Sequence, residues 1–111
     1  LLVKALRIHA VGLGDDFTVE MPSGSGRRLT LTAVSDELER RLVALFRPGA
    51  DGRRPGDQRD HGTGPLWSGH PTFSEYFHGD SGQGLGASHQ TGWTALVAHL
   101  IVTCPPPAKG T

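Results

Sequence analysis

A chain of 111 residues has room for one small domain, since independently folding domains run from about 50 to 200 residues. Its 16 glycines and 8 prolines follow no strict three-residue period, which excludes collagen, and they argue against an uninterrupted helix bundle. Eleven basic residues balance eleven acidic ones, 36% of the chain is apolar and 20% is charged, so the disordered, membrane-embedded and nucleic-acid-binding classes are all disfavoured. Cys104 is the single cysteine and has no internal partner for a disulfide, which points to the reducing cytoplasm. The longest apolar run, Leu96 to Val102, is far short of the roughly 20 residues that span a bilayer. The first eleven residues carry Lys4, Arg7 and His9 spaced through them, unlike a signal peptide, and suggest a chain that begins inside a longer protein.

From the N-terminus, Leu2 and Leu6, and Leu1, Ala5 and Ile8, recur at three- and four-residue spacings, the pattern of an amphipathic helix that Gly12 and Gly14 stop. Phe17 to Met21 alternates as a strand does, Pro22 to Gly26 has turn chemistry, and Arg28 to Leu31 alternates again, which together predict a β-hairpin. Thr32 or Ser35 can then cap a helix with Val34, Leu38, Leu42, Leu45 and Phe46 on one face. Asp36 and Glu37 near its start and Arg47 at its end suit the helix dipole, and Pro48-Gly49 ends it. A polar loop follows, Gly49 to Asp57 and Gly62 to Pro65, of a length unusual inside a compact domain; it reads as mobile or insertion-like, with no assigned role. Leu66-Trp67 and Phe73, Tyr76 and Phe77 are aromatic islands after it, then glycines cluster at 79, 82, 84 and 86. The last element is a helix over Thr91 to Val102 with Trp93, Leu96, Val97, Leu100 and Ile101 on a stripe.

Several short motifs invite chemistry. Gly79-Asp80-Ser81-Gly82 matches the string around the serine nucleophile of trypsin-like proteases, but the chain is too short and too helical for that β-barrel scaffold. Gly82-Gln83-Gly84-Leu85-Gly86 precedes a helix but lacks the Lys-Ser/Thr of a phosphate loop. His61, His70, His78 and His89, with Asp60 and Asp80, have none of the helical spacing of a zinc site and read instead as loop histidines bonded to backbone, so no metal is assigned. Glu75 stands out as a carboxylate among Phe73, Tyr76, Phe77 and His78. It is either an ordinary partly exposed glutamate or an acid whose pKa burial among aromatic rings would raise, and such groups cluster at catalytic sites.

The stretch Phe73-Ser74-Glu75-Tyr76-Phe77-His78-Gly79-Asp80-Ser81-Gly82-Gln83-Gly84-Leu85-Gly86-Ala87-Ser88-His89-Gln90-Thr91-Gly92-Trp93-Thr94-Ala95-Leu96-Val97-Ala98 resembles the C-terminal signature of glycoside hydrolase family 63 and its mannosylglycerate-hydrolase-like relatives. Upstream, Gly14-Asp15-Asp16-Phe17-Thr18-Val19-Glu20 with Pro22, Ser23 to Gly26 and Leu29-Thr30-Leu31 is similar to the segment that precedes it in bacterial members. Arg53 to Ser68 and the residues from Cys104 onward match nothing in that family.

The resemblance implies a mainly α fold, the C-terminal fragment of an (α/α)6 toroid with a short β-hairpin and a long glycine-rich loop. Residues 1–104 would be the partial catalytic domain and residues 105–111 a disordered Pro-rich tail. It implies an inverting α-glycosidase acting on short α-glucosides or α-mannosides, such as glucosylglycerate, mannosylglycerate or oligosaccharides, without a cofactor. Glu75 then corresponds to the general base, while Gln90 and Trp93 lie where the family contacts the sugar. Gly82, Gly84 and Gly86 would let the backbone turn beside the sugar, where a Cβ would intrude. Inversion requires an acid about 6.5–9.5 Å from the base with a water between, and Asp15, Asp16 and Asp80 do not match the family's acid motif. The expected partners are a small carbohydrate and the missing N-terminal part of the same toroid. A truncated remnant without activity, or a small sugar-binding module, are the alternatives.

Overall fold

The computed structural model describes residues 1–59, 64–89 and 91–104, with Thr91, Trp93 and Thr94 described by their backbone alone. Among these residues the chain forms four helices and two small antiparallel sheets, a mixed arrangement of helix and strand. It divides into two compact units, Leu1–Arg40 with Cys104, and Arg41–Thr103.

The first unit opens with helix α1, Leu2–Leu13, which continues one residue past Gly12 and ends where Gly14 takes φ 69°. Strands β1, Thr18–Glu20, and β2, Arg28–Thr30, pair antiparallel with Thr18 opposite Thr30 and Glu20 opposite Arg28. The alternation around Val19 and Leu29 therefore produces the hairpin that it predicts. Its turn is built on Glu20, whose carboxylate accepts the N–H groups of Gly24 (3.0 Å) and Gly26 (2.5 Å). These two bonds, Gly24 first, hold the Glu20 carboxyl below its ordinary pKa; slight desolvation opposes them and the charge of Arg28 assists.

Helix α2, Leu31–Ala44, follows β2 directly and crosses from the first unit into the second. Its cap is neither Thr32 nor Ser35 but Thr30, whose Oγ1 accepts the Ala33 N–H at 3.2 Å, the bond an N-cap side chain makes three residues on. Ser35 is fully buried and its hydroxyl donates to the Val3 carbonyl at 3.1 Å. Leu31 and Val34 are the buried apolar residues of this unit. Beside them Glu39, 4% exposed, meets Arg7 of α1. Arg7 Nε donates to Glu39 Oε1 at 3.2 Å, and Nη2 lies 3.0 Å from Oε2 and 2.8 Å from Asp36 Oδ1. Desolvation pulls the Arg7 pKa down, but the hydrogen bond and charge of Glu39, then those of Asp36, outweigh it and leave it raised.

In the second unit the helical pattern ends earlier than its apolar spacing suggests, so Leu45 and Phe46 lie in the turn after Ala44. Helix α3, Pro65–Ser68, is a single turn; strands β3, Tyr76–Phe77, and β4, Gly84–Leu85, form a second hairpin, and helix α4 runs from Thr91 to Thr103. Val43 of α2 and Val97 and Leu100 of α4 are the buried apolar residues here. Only part of the expected α4 stripe is covered, since Leu96 and Ile101 are exposed. Phe46 stacks on Phe73, with ring centroids 5.4 Å apart, and meets Phe77 edge-on at 5.7 Å, both arrangements that aromatic pairs favour.

Among the described residues no helix is long and apolar enough to cross a membrane.

Candidate functional site

The site is built on the second hairpin and the stretch that leads into it. Thr72 and Ser74 are buried while Glu75 and Tyr76 are exposed. Phe73 and Phe77 turn to Phe46, so these two rings near Glu75 in sequence pack on Phe46 and not around the carboxylate. Of the two readings that the sequence leaves open, the exposed glutamate is the one that forms: Glu75 stands at the surface.

Hydrogen bonds with Ala87 help to place Glu75. Its N–H donates to the Ala87 carbonyl at 2.8 Å, and Ala87 returns its own N–H to Glu75 Oε2 at 3.2 Å. The carboxylate is thus held against the far arm of the hairpin while its residue remains open to solvent. The backbone passes close beneath it at Gly86, where φ is +73° and a Cβ would sit 2.7 Å from Glu75 Oε2 and 2.8 Å from Tyr76 Cε1. Only glycine meets both demands without strain.

Gly84 answers a different need. A Cβ there would overlap Ser74 Oγ and the Gly56 carbonyl oxygen. The glycines at 84 and 86, to which the resemblance gives a place beside a sugar, meet neighbouring protein atoms.

The polar loop after Pro48 is part of this site. Gly49 N–H donates to Arg53 O (2.7 Å), Gly56 N–H to Leu45 O (2.8 Å) and Asp57 N–H to Arg54 O (3.0 Å), and the Asp57 carboxylate accepts the Arg54 N–H at 2.9 Å. At its end Gln58 Nε2 donates to Ser74 Oγ (3.3 Å) and to Gly86 O (3.0 Å). Residues 49–59 are thus tied by hydrogen bonds to one another and to residues 45, 74 and 86. Ser74 and Gln58 escape a reading of the sequence because nothing local brings position 58 to positions 74 and 86.

Gln90 lies outside the described residues, as do Asp60, His61 and residues 105–111. Trp93 is placed by its backbone in the first turn of α4. His70 and His78, two of the described loop histidines, bond backbone. The His78 Nδ1 accepts the N–H groups of Asp80 (3.2 Å) and Ser81 (3.3 Å), and the His70 Nδ1 lies 3.1 Å from Leu66 O. Among the described residues no three His, Cys, Asp or Glu side chains come together as a metal site.

A separate cleft of about 270 Å³ is lined by Phe46, Pro71, Phe73, Val97, Ala98 and Ile101. Ligand sites fix orientation with a few polar groups among apolar ones, and the six side chains here offer no hydroxyl, amide or charge to a sugar.

No family model matches the chain, and no solved structure matches it. A relative is the uncharacterized protein YMR196W of Saccharomyces cerevisiae, 46% identical over 105 residues, a match that takes in 91% of this chain and 10% of that protein. The chain thus spans about a tenth of the length of the curated relative that it matches.

Proposed function

We propose that this chain is the C-terminal part of an inverting α-glycosidase of the glycoside hydrolase family 63 type, with Glu75 as the general base. The observation that carries the reading is the long resemblance from Phe73 to Ala98, within which Glu75 is an exposed carboxylate anchored by the Ala87 N–H. A base must reach a water and a sugar, so exposure together with a fixed orientation suits the role better than deep burial would. Gln90 and Trp93, which follow on the chain, are the proposed sugar contacts. The substrates are short α-glucosides or α-mannosides, and the acid comes from elsewhere in the toroid.

The exposed apolar residues of the two long terminal helices support the toroid. Leu2, Ile8, Val11 and Leu13 of α1, and Ile101 and Val102 of α4, are exposed, and in the proposed ring further helices would cover them. Cys104 as the sole cysteine fits a cytoplasmic enzyme.

The test is turnover of glucosylglycerate, mannosylglycerate and gluco-oligosaccharides by the complete protein, with the anomer of the first product followed by proton NMR. Release of the inverted anomer, abolished in Glu75→Gln, is the expected result. Parental rates in Glu75→Gln, or no turnover of any of these glycosides by the parent, would overturn the assignment. The 111-residue chain alone should not turn over these substrates, because it supplies a base and no matching acid.

A further inference from the structure

We infer that Gln58 is a positioning residue for the Glu75 carboxylate and acts through the Gly86–Ala87 peptide; this rests on the reading of Glu75 as the general base. The carbonyl that Gln58 grips and the N–H that grips Glu75 are the two ends of one peptide group. Gln58 Nε2 donates to Gly86 O at 3.0 Å, and the Ala87 N–H donates to Glu75 Oε2 at 3.2 Å. A peptide is planar, so fixing its oxygen also fixes the direction of its N–H. A hydrogen bond at the oxygen polarises the group as well, which strengthens the bond that its N–H makes.

The need for such a clamp follows from the backbone. Gly86 sits at φ +73°, and glycine leaves the adjoining peptide freer to rotate than any other residue would. Without an external hold on its oxygen, the peptide would keep the carboxylate in place only loosely. Gln58 also donates to Ser74 Oγ at 3.3 Å. Ser74 is fully buried and adjoins Glu75 in the chain, so one amide nitrogen ties down both the residue before the base and the peptide opposite it. The orientation of that amide is unambiguous: Gly86 O can only accept, so nitrogen must face it. Gln58 is itself held, because the preceding loop is tied to Leu45 through the Gly56 N–H and closed by the Arg54–Asp57 bonds.

The experiment compares Gln58→Ala and Gln58→Met with the parent and with Glu75→Gln in the complete protein, on whichever glycoside the parent turns over. Methionine keeps the length of glutamine without its donors, and serves if the alanine variant fails to fold. Both Gln58 variants should lose kcat by roughly 10- to 100-fold, the scale of a misplaced catalytic group, with KM within about twofold. Amide exchange read by mass spectrometry should quicken in the peptide that contains Ala87. Parental kcat in both variants while Glu75→Gln is inactive would overturn the positioning role and leave the base assignment standing. A raised KM with kcat unchanged would also overturn it, since that marks a substrate contact. Turnover that survives Glu75→Gln removes the base assignment and this inference with it.

Discussion

Arg7 of α1 meets Glu39 of α2 in an ion pair whose acid is buried, Nη2 lying 3.0 Å from Oε2 of a residue that is 4% exposed. The same guanidinium holds Asp36 at 2.8 Å, but Asp36 is partly exposed. The two carboxylates therefore differ in what they lose when the arginine goes. Asp36 can be solvated by water, whereas Glu39 would keep a charge in a place water barely reaches.

Arg7→Ala should accordingly cost about 2–3 kcal/mol, somewhat below the usual loss for a broken buried pair because Arg7 is itself part exposed. Asp36→Ala should cost about 0.5 kcal/mol, as surface pairs do. Urea unfolding of the chain would separate them, and equal losses would show that Glu39 is not the residue Arg7 serves. Replacing both partners, Arg7→Met with Glu39→Leu, should recover most of the loss, since an apolar pair leaves no charge to desolvate.

Gly84 is a second test of packing. Alanine there would press its Cβ into Ser74 Oγ and the Gly56 carbonyl oxygen, neither of which is the far end of a flexible side chain. Gly84→Ala should destabilise by about 2–3 kcal/mol, the range of overpacked sites. Gly79, in the turn of the same hairpin, would have nothing within 4 Å of an added Cβ, so Gly79→Ala should stay within about 0.5 kcal/mol of the parent. Unfolding midpoints that fall together for both would mean that the hairpin yields instead of clashing.

The first hairpin should weaken in acid. Glu20 has its carboxyl held below the ordinary glutamate pKa by the N–H groups of Gly24 and Gly26. A group depressed in the folded state stabilises it above the unfolded-state pKa, and that contribution fades as pH falls through the folded value. The amide proton shifts of Gly24 and Gly26 should titrate with a midpoint below that of a glutamate in an unstructured peptide, and Glu20→Gln should flatten both curves. A midpoint at or above the unstructured value would remove the proposed bonds.

How much could be read without coordinates depended on distance along the chain. The Val19 and Leu29 alternation, Gly14 closing α1 and the apolar spacing of α2 and α4 were legible because each signal lies within one or two turns or strands. The cap of α2 was displaced to Thr30 because β2 runs straight into the helix, leaving Thr32 and Ser35 inside it. The second hairpin went unread since β3 and β4 are two residues each, too short for any period to register. Glu75 was legible as a candidate by its neighbours, but the side to which those neighbours turn was not.

By itself the sequence determined helices α1, α2 and α4 and the first hairpin, because local backbone preference and apolar spacing act over a few residues. Tertiary structure alone decided that Phe73 and Phe77 turn to Phe46 and leave Glu75 exposed, and that Gln58 reaches both Ser74 and Gly86. It also decided what the glycines at 84 and 86 are for. Their requirement comes from atoms of residues 56, 74, 75 and 76, and a steric demand made by residues distant in the chain leaves no local mark to read.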